Sequence, residues 1–169
     1  MKPKQSVIIH TDLESECVVL PNSTYMYDAC YTITYGPISA PDAESHCRSA
    51  FPSLNARGRL PIVQNQTMIA DITAAIASAT NTVFWVGAYR HSTSGGAADH
   101  WYWQAENLTS TTMTSFGPWP APPYIWMGGQ PNNANDRCVN SRNGGNFADW
   151  PCSMSTSATL DINAVCEFR

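Results

Sequence analysis

Between Asn65 and Thr80, Ile69, Ile72, Ile76 and Ala79 recur at spacings of three and four. That period predicts a helix with one buried face. A second helix is predicted in APDAESHCRSAF, residues 40–51. Ser39 can cap it, and Pro41 and Asp42 suit its first turn. Ala43, Cys47 and Ala50 share a face, so Cys47 points inward toward a partner distant in sequence. After residue 80 the pattern changes. TVFWVGAY at 82–89 is a short, largely apolar run, as expected of a buried strand. Trp101, Tyr102 and Trp103 form another strand candidate, and short ones surround Cys138, Phe147 and Val165. Near the start, Cys17 and Cys30 bracket VVLPNSTYMYDA, in which Pro21 and Asn22 give a turn and Tyr25 and Tyr27 alternate as in a strand. A local hairpin closed by Cys17 and Cys30 is expected there. Residues 107–124, rich in Thr, Ser and Pro, read as one long loop of the kind that often carries function. Early helices surrounded by strands predict an α+β domain over 17–169, preceded by a polar extension over 1–16.

Composition narrows the function. With 43% hydrophobic and 13% charged residues, the 169-residue chain has the material for one folded core. A net charge of −4 and scattered Lys and Arg argue against a nucleic-acid partner, which needs clustered positive charge. No apolar stretch is long enough to span a membrane, so no membrane insertion by this segment is expected. Six cysteines, none in a CxxC pair, and sequons at Asn22, Asn65 and Asn107 together point to an oxidising, extracellular compartment and a secreted glycoprotein. We expect an export leader upstream of Met1. By themselves the six cysteines allow fifteen pairings.

Several segments, in order, resemble the C-type lectin-like domain. FWVGAY at 84–89 resembles its core strand, and WYW at 101–103 the strand that follows. WMGGQPNNANDRCVN at 126–140 resembles the long-loop segment with the Glu-Pro-Asn or Gln-Pro-Asp motif. NFADWPC at 146–152 resembles the Trp-Asn-Asp motif and its following Cys, and AVCEF at 164–168 the closing strand. The resemblance runs from about Cys17 to Arg169. It implies two helices flanking two small antiparallel sheets with a long binding loop. It also implies the pairs Cys17–Cys30, Cys47–Cys166 and Cys138–Cys152. The second pair closes the longest loop, worth about 4–5 kcal/mol in a chain-entropy model.

The resemblance further implies a carbohydrate-binding site built around one calcium ion, with two vicinal sugar hydroxyls completing its oxygen shell. Position by position, Gln130, Asn132, Asp136 and Asp149 are the expected ligands of metal and sugar, and the backbone carbonyl of Asp149 a further donor. Pro131 is expected to be cis, turning its neighbours toward one point. Ala148 stands where the motif has Asn and offers no side-chain oxygen. Asn146 lies two residues earlier on the same strand face. Arg137 occupies a position where a second calcium site would need an acid, so only one site is expected. Gln130, Asn132 and Asn133 could instead simply bond the loop to itself.

Gln-Pro-Asn is a hybrid of the mannose-type and galactose-type motifs, so both sugar classes stay open. Trp119, among the loop prolines, is the expected stacking residue, whereas Trp126 and Trp150 are expected to pack. Innate defence or another glycan-recognition role follows from this reading, with a homo-oligomer or linked domains adding multivalent strength. The competing class is a domain that binds a protein, a mineral or ice surface, or a sugar without calcium, and Ala148 favours it. An enzyme is not expected. His10, His46, His91 and His100 are dispersed, and HExxH and GxSxG are absent.

Overall fold

A computed structural model describes residues 13–50, 58–63, 65–76, 82–90, 101–103, 114–115, 126–142, 145–157 and 160–169. In chain order the elements are α1 (Leu13–Cys17), β1 (Ser23–Met26), β2 (Ala29–Thr34), α2 (Ala40–Ser49), β3 (Gly58–Arg59), α3 (Gln66–Ile76) and β4 (Val83–Arg90). They continue with β5 (Trp101–Trp103), β6 (Thr114–Ser115), β7 (Cys138–Arg142), β8 (Asn146–Trp150), β9 (Thr156–Ser157) and β10 (Leu160–Phe168).

Both expected helices form. Ser39 caps α2 by accepting from Asp42 N, and α2 buries Ala40, Ala43 and Cys47. Helix α3 buries Met68, Ile69, Ile72 and Ile76, while Ala79 lies outside the described residues. The helices flank the strands because the central strands are apolar on both faces. In β4, Phe84, Val86 and Ala88 join the core that contains the α3 stripe. Val83 and Trp85 join the opposite core, which contains Ala40, Ala43 and Cys47 of α2. The same alternation places Val165 of β10 in the first core and Ile162, Ala164, Cys166 and Phe168 in the second.

Two antiparallel ladders meet at β10. It pairs antiparallel with β2 on one side and parallel with β4 on the other, through Ile162↔Val83 and Asn163↔Phe84. Strand β4 then pairs antiparallel with β5 and β7, and β7 with β8. All three disulfides implied by the resemblance are present, and no free cysteine remains. Cys47–Cys166 staples α2 to β10, where Gly58 is required. A Cβ at Gly58 would lie 1.9 Å from the Cys47 carbonyl oxygen.

Three details depart from expectation. The first hairpin turns at Tyr27–Asp28, with φ of 53° and 55°, so β1 stops at Met26 and Tyr27 is not a strand residue. Two consecutive positive-φ residues match the right-handed twist of the strands, which the Pro21–Asn22 turn does not serve. Helix α1 crosses the boundary set at residue 17, with Leu13 packed on the same core as Cys17. Within the expected 107–124 loop, Thr114–Ser115 pairs with β5 as β6. Of the sequon asparagines, Asn22 and Asn65 are exposed and Asn107 lies outside the described residues.

Candidate functional site

The site grows from an aromatic anchor. Trp126 is buried, with its ring centroid 5.2 Å from Trp101 and 6.1 Å from Phe147. It bridges Phe147 as an isolated parallel pair, and Met127 N donates to Phe147 O at 2.8 Å. The chain then reverses through Gly128–Gly129. Gln130 N donates to Met127 O at 2.8 Å, and Gly129 takes φ 81°, a conformation that favours glycine. The Gln130–Pro131 peptide is cis, as the resemblance implies.

Beyond it, the loop folds around Asp149. The carboxylate of Asp149 accepts from Asn132 N at 3.1 and 3.2 Å and from Asn133 N at 3.1 Å. Asn133 is the second organiser. Its Nδ2 donates to Asp136 Oδ1 at 3.2 Å, and its Oδ1 accepts from Asn135 N at 3.0 Å. Its carbonyl accepts from Asp136 N at 3.1 Å. The loop ends at Cys138, bonded to Cys152.

The structure therefore brings Asn132, Asp136 and Asp149 together and sets Gln130 in the same loop. Asn132 is exposed, and Asp136 and Asp149 are buried at 9% and 1% exposure. Burial raises both carboxyl pKa values above the ordinary range. For Asp136 the charge of Asp149 adds to the rise, and the Asn133 bond opposes it. For Asp149 the N–H bonds of Asn133 and Asn132 and the charge of Arg90 oppose it. Gln130 Oε1 is buried with no hydrogen-bond partner. Trp119 lies outside the described residues.

Two positions count against a full set of metal ligands. Ala148 is fully buried and registers against Asn140, whose Nδ2 has no partner. Asn146 registers with Arg142 at the far end of the β7–β8 hairpin, about 7 Å along the strand from Ala148. It does not replace the missing oxygen. Among the described residues no group of three or more His, Cys, Asp or Glu converges.

Trp126 and Trp150 pack, as expected. Trp150 lies against the second core with the Arg142 guanidinium 4.8 Å above its ring. Sequence reasoning missed Arg90, which is completely buried beneath the loop. Its signal was a charge closing the apolar run VFWVGAY, a place where a buried cation must find acceptors.

No protein-family model and no curated protein matches the chain. Solved structures do. The C-type lectin CEL-I from Cucumaria echinata is 21% identical at TM-score 0.59, covering 89% of this chain and 96% of that one. The C-type lectin domain of murine dendritic cell inhibitory receptor 2, in complex with N-glycan, is 20% identical at TM-score 0.59, covering 88% and 96%. A calcium-independent type II antifreeze protein is 17% identical at TM-score 0.57, covering 88% and 92%.

Proposed function

We propose, for a chain that has the C-type lectin-like fold, that it is a carbohydrate-binding module and not an enzyme. Its site is the Met127–Arg137 loop with Asp149. One observation carries the reading. A buried, unpartnered Gln130 Oε1 stands in the loop that carries Asp136 and folds around Asp149, two carboxylates whose ionised forms burial penalises. A hard cation held among them would give all three an oxygen-binding partner. Gln130, Asn132, Asp136 and Asp149 would hold that calcium ion. When bound, it supplies open coordination positions for two vicinal hydroxyls of a galactose- or mannose-type sugar. The chain's own side chains do the rest. Exposed Asn132 meets the sugar hydroxyls, while Asp136 and Asp149, kept in place by Asn133, accept their protons in hydrogen bonds. Trp119 is the proposed stacking face.

Ala148 removes one ligand, so calcium affinity falls in the ~0.1–1 mM range of extracellular modules. Three disulfides support a secreted or extracellular location. No helix among the described residues is long and apolar enough to cross a membrane.

The test is a glycan array probed in millimolar calcium and again in excess chelator. Binding in calcium that chelator abolishes is the expected result. Ala148 supports a second reading, in which the same loop takes a protein or surface ligand, or sugar without calcium. Signal that persists in chelator supports sugar binding without calcium, and an empty array in calcium overturns the carbohydrate reading.

A further inference from the structure

Arg90 ends β4, and its side chain is fully buried although every residue before it in the strand is uncharged. The register between β4 and β7 shifts between Val86 and Tyr89, so Tyr89 rather than Gly87 meets the Cys138 end of the hairpin. A bulge of this kind re-aims the residues that follow it. Here it carries Arg90 beneath the ligand loop. Its backbone is locked there on both sides: Arg90 N donates to Arg137 O at 2.8 Å, and Arg137 Nε donates to Arg90 O at 3.0 Å. Its guanidinium Nη1 donates to the carbonyl of Ala134, at the middle of the loop.

We infer that Arg90 is a built-in cation for the ligand loop, holding Asn132–Arg137 in its binding shape without a metal ion. The geometry supplies both halves of what an ion would do. Asp149, the anion, gathers the N–H groups of Asn132 and Asn133. Arg90, the cation, gathers a carbonyl two residues on. The positive charge of Arg90 also acts on Asp149, opposing the effect of its burial. A guanidinium carried by a sheet strand cannot dissociate, so the loop is ordered when the domain folds rather than when a ligand arrives. Calcium, under the function proposed above, then meets a loop already in place.

The test needs no sugar, so it succeeds or fails independently of the glycan reading. Backbone hydrogen exchange of the intact, disulfide-bonded protein is measured in millimolar calcium and in excess chelator. In the wild type, the Asn132, Asn133 and Asp136 amides are expected to stay protected in chelator, with millimolar calcium adding no more than roughly tenfold. In Arg90→Gln, those three amides are expected to exchange roughly tenfold or more faster in chelator. The sheet amides of Ile33 and Gly87, bonded to Asn22 O and Pro61 O, are expected to stay protected. Arg90→Lys, which keeps the charge, is expected to retain most of the loop protection. Wild-type protection that collapses in chelator overturns the inference, as does Arg90→Gln protection equal to wild type. Should Arg90→Gln fail to fold, the wild-type measurement and Arg90→Lys decide.

Discussion

Trp126 joins the core to the site, and its removal measures how much the loop depends on that join. Trp126→Ala takes away a side chain that is 7% exposed and touches both Trp101 and Phe147. Truncating a buried aromatic to Ala costs about 3–5 kcal/mol, combining lost transfer energy with the void left behind. Two tilted or edge-on ring pairs contribute about 0.5–1.5 kcal/mol each within that total. Collapse is restricted on this side, because Trp103 also stands edge-on to Phe147 at 6.3 Å. The upper half of the range is therefore expected, with about 1–2 kcal/mol for Trp126→Phe, which leaves a smaller void. Equilibrium unfolding in denaturant, followed by far-ultraviolet circular dichroism, measures both variants against wild type. The Met127 N bond to Phe147 O lies next to the lost ring, so ligand binding should fall alongside stability. A cost below about 1 kcal/mol for Trp126→Ala, or equal costs for the two variants, refutes the anchor argument.

Two further outcomes follow from the site and the staples. The folded pKa of Asp136 is raised, so its ionised form is penalised in the folded protein and the penalty is relieved as pH falls through that raised value. In chelator, Asp136→Asn should therefore have a higher Tm than wild type at neutral pH, with the gap closing on acidification; a gap that widens rejects the sign. Among the disulfides, chain entropy assigns about 5 kcal/mol to Cys47–Cys166 at separation 119 and about 3 kcal/mol to Cys17–Cys30 and Cys138–Cys152 at separations 13 and 14. Paired Cys→Ala variants should rank in that order in denaturant unfolding, and an equal cost for all three removes the loop-length argument.

Much of the fold is legible because its signals are local. The Ser39 cap, the Ile69–Ile72–Ile76 stripe and the VFWVGAY run each state their own geometry within about ten residues. The disulfide partners came only from the order of motifs, since pairing reflects topology and not spacing. The Tyr27–Asp28 turn was hidden because the demand for positive φ comes from the twist of paired strands and not from those side chains. At the site, Asp149 was identifiable as an acid at a motif position. What it binds was not, because Asn132 and Asn133 offer it backbone N–H groups that any residue possesses. Arg90 and Ala134 are 44 residues apart, and the irregular β4–β7 pairing beside them is a tertiary feature with no local signal.

The shared strand β10 has a consequence for the order of assembly. It pairs Phe168 with Cys30 and Ala164 with Thr34, so the centre of the sheet joins segments from opposite ends of the domain. Contacts of such long sequence separation incur their loop-closure cost before any packing rewards them, which makes folding slow and non-local. The β7–β8 hairpin and the β1–β2 hairpin can close early, and their short-range disulfides Cys138–Cys152 and Cys17–Cys30 with them. Cys47 has no partner near it until β10 has docked. Formation of Cys47–Cys166 therefore waits on the docking of β10, whereas the other two bonds need only their local hairpins. Alkylating thiols at intervals during oxidative refolding should trap Cys47 and Cys166 as the last to react with each other.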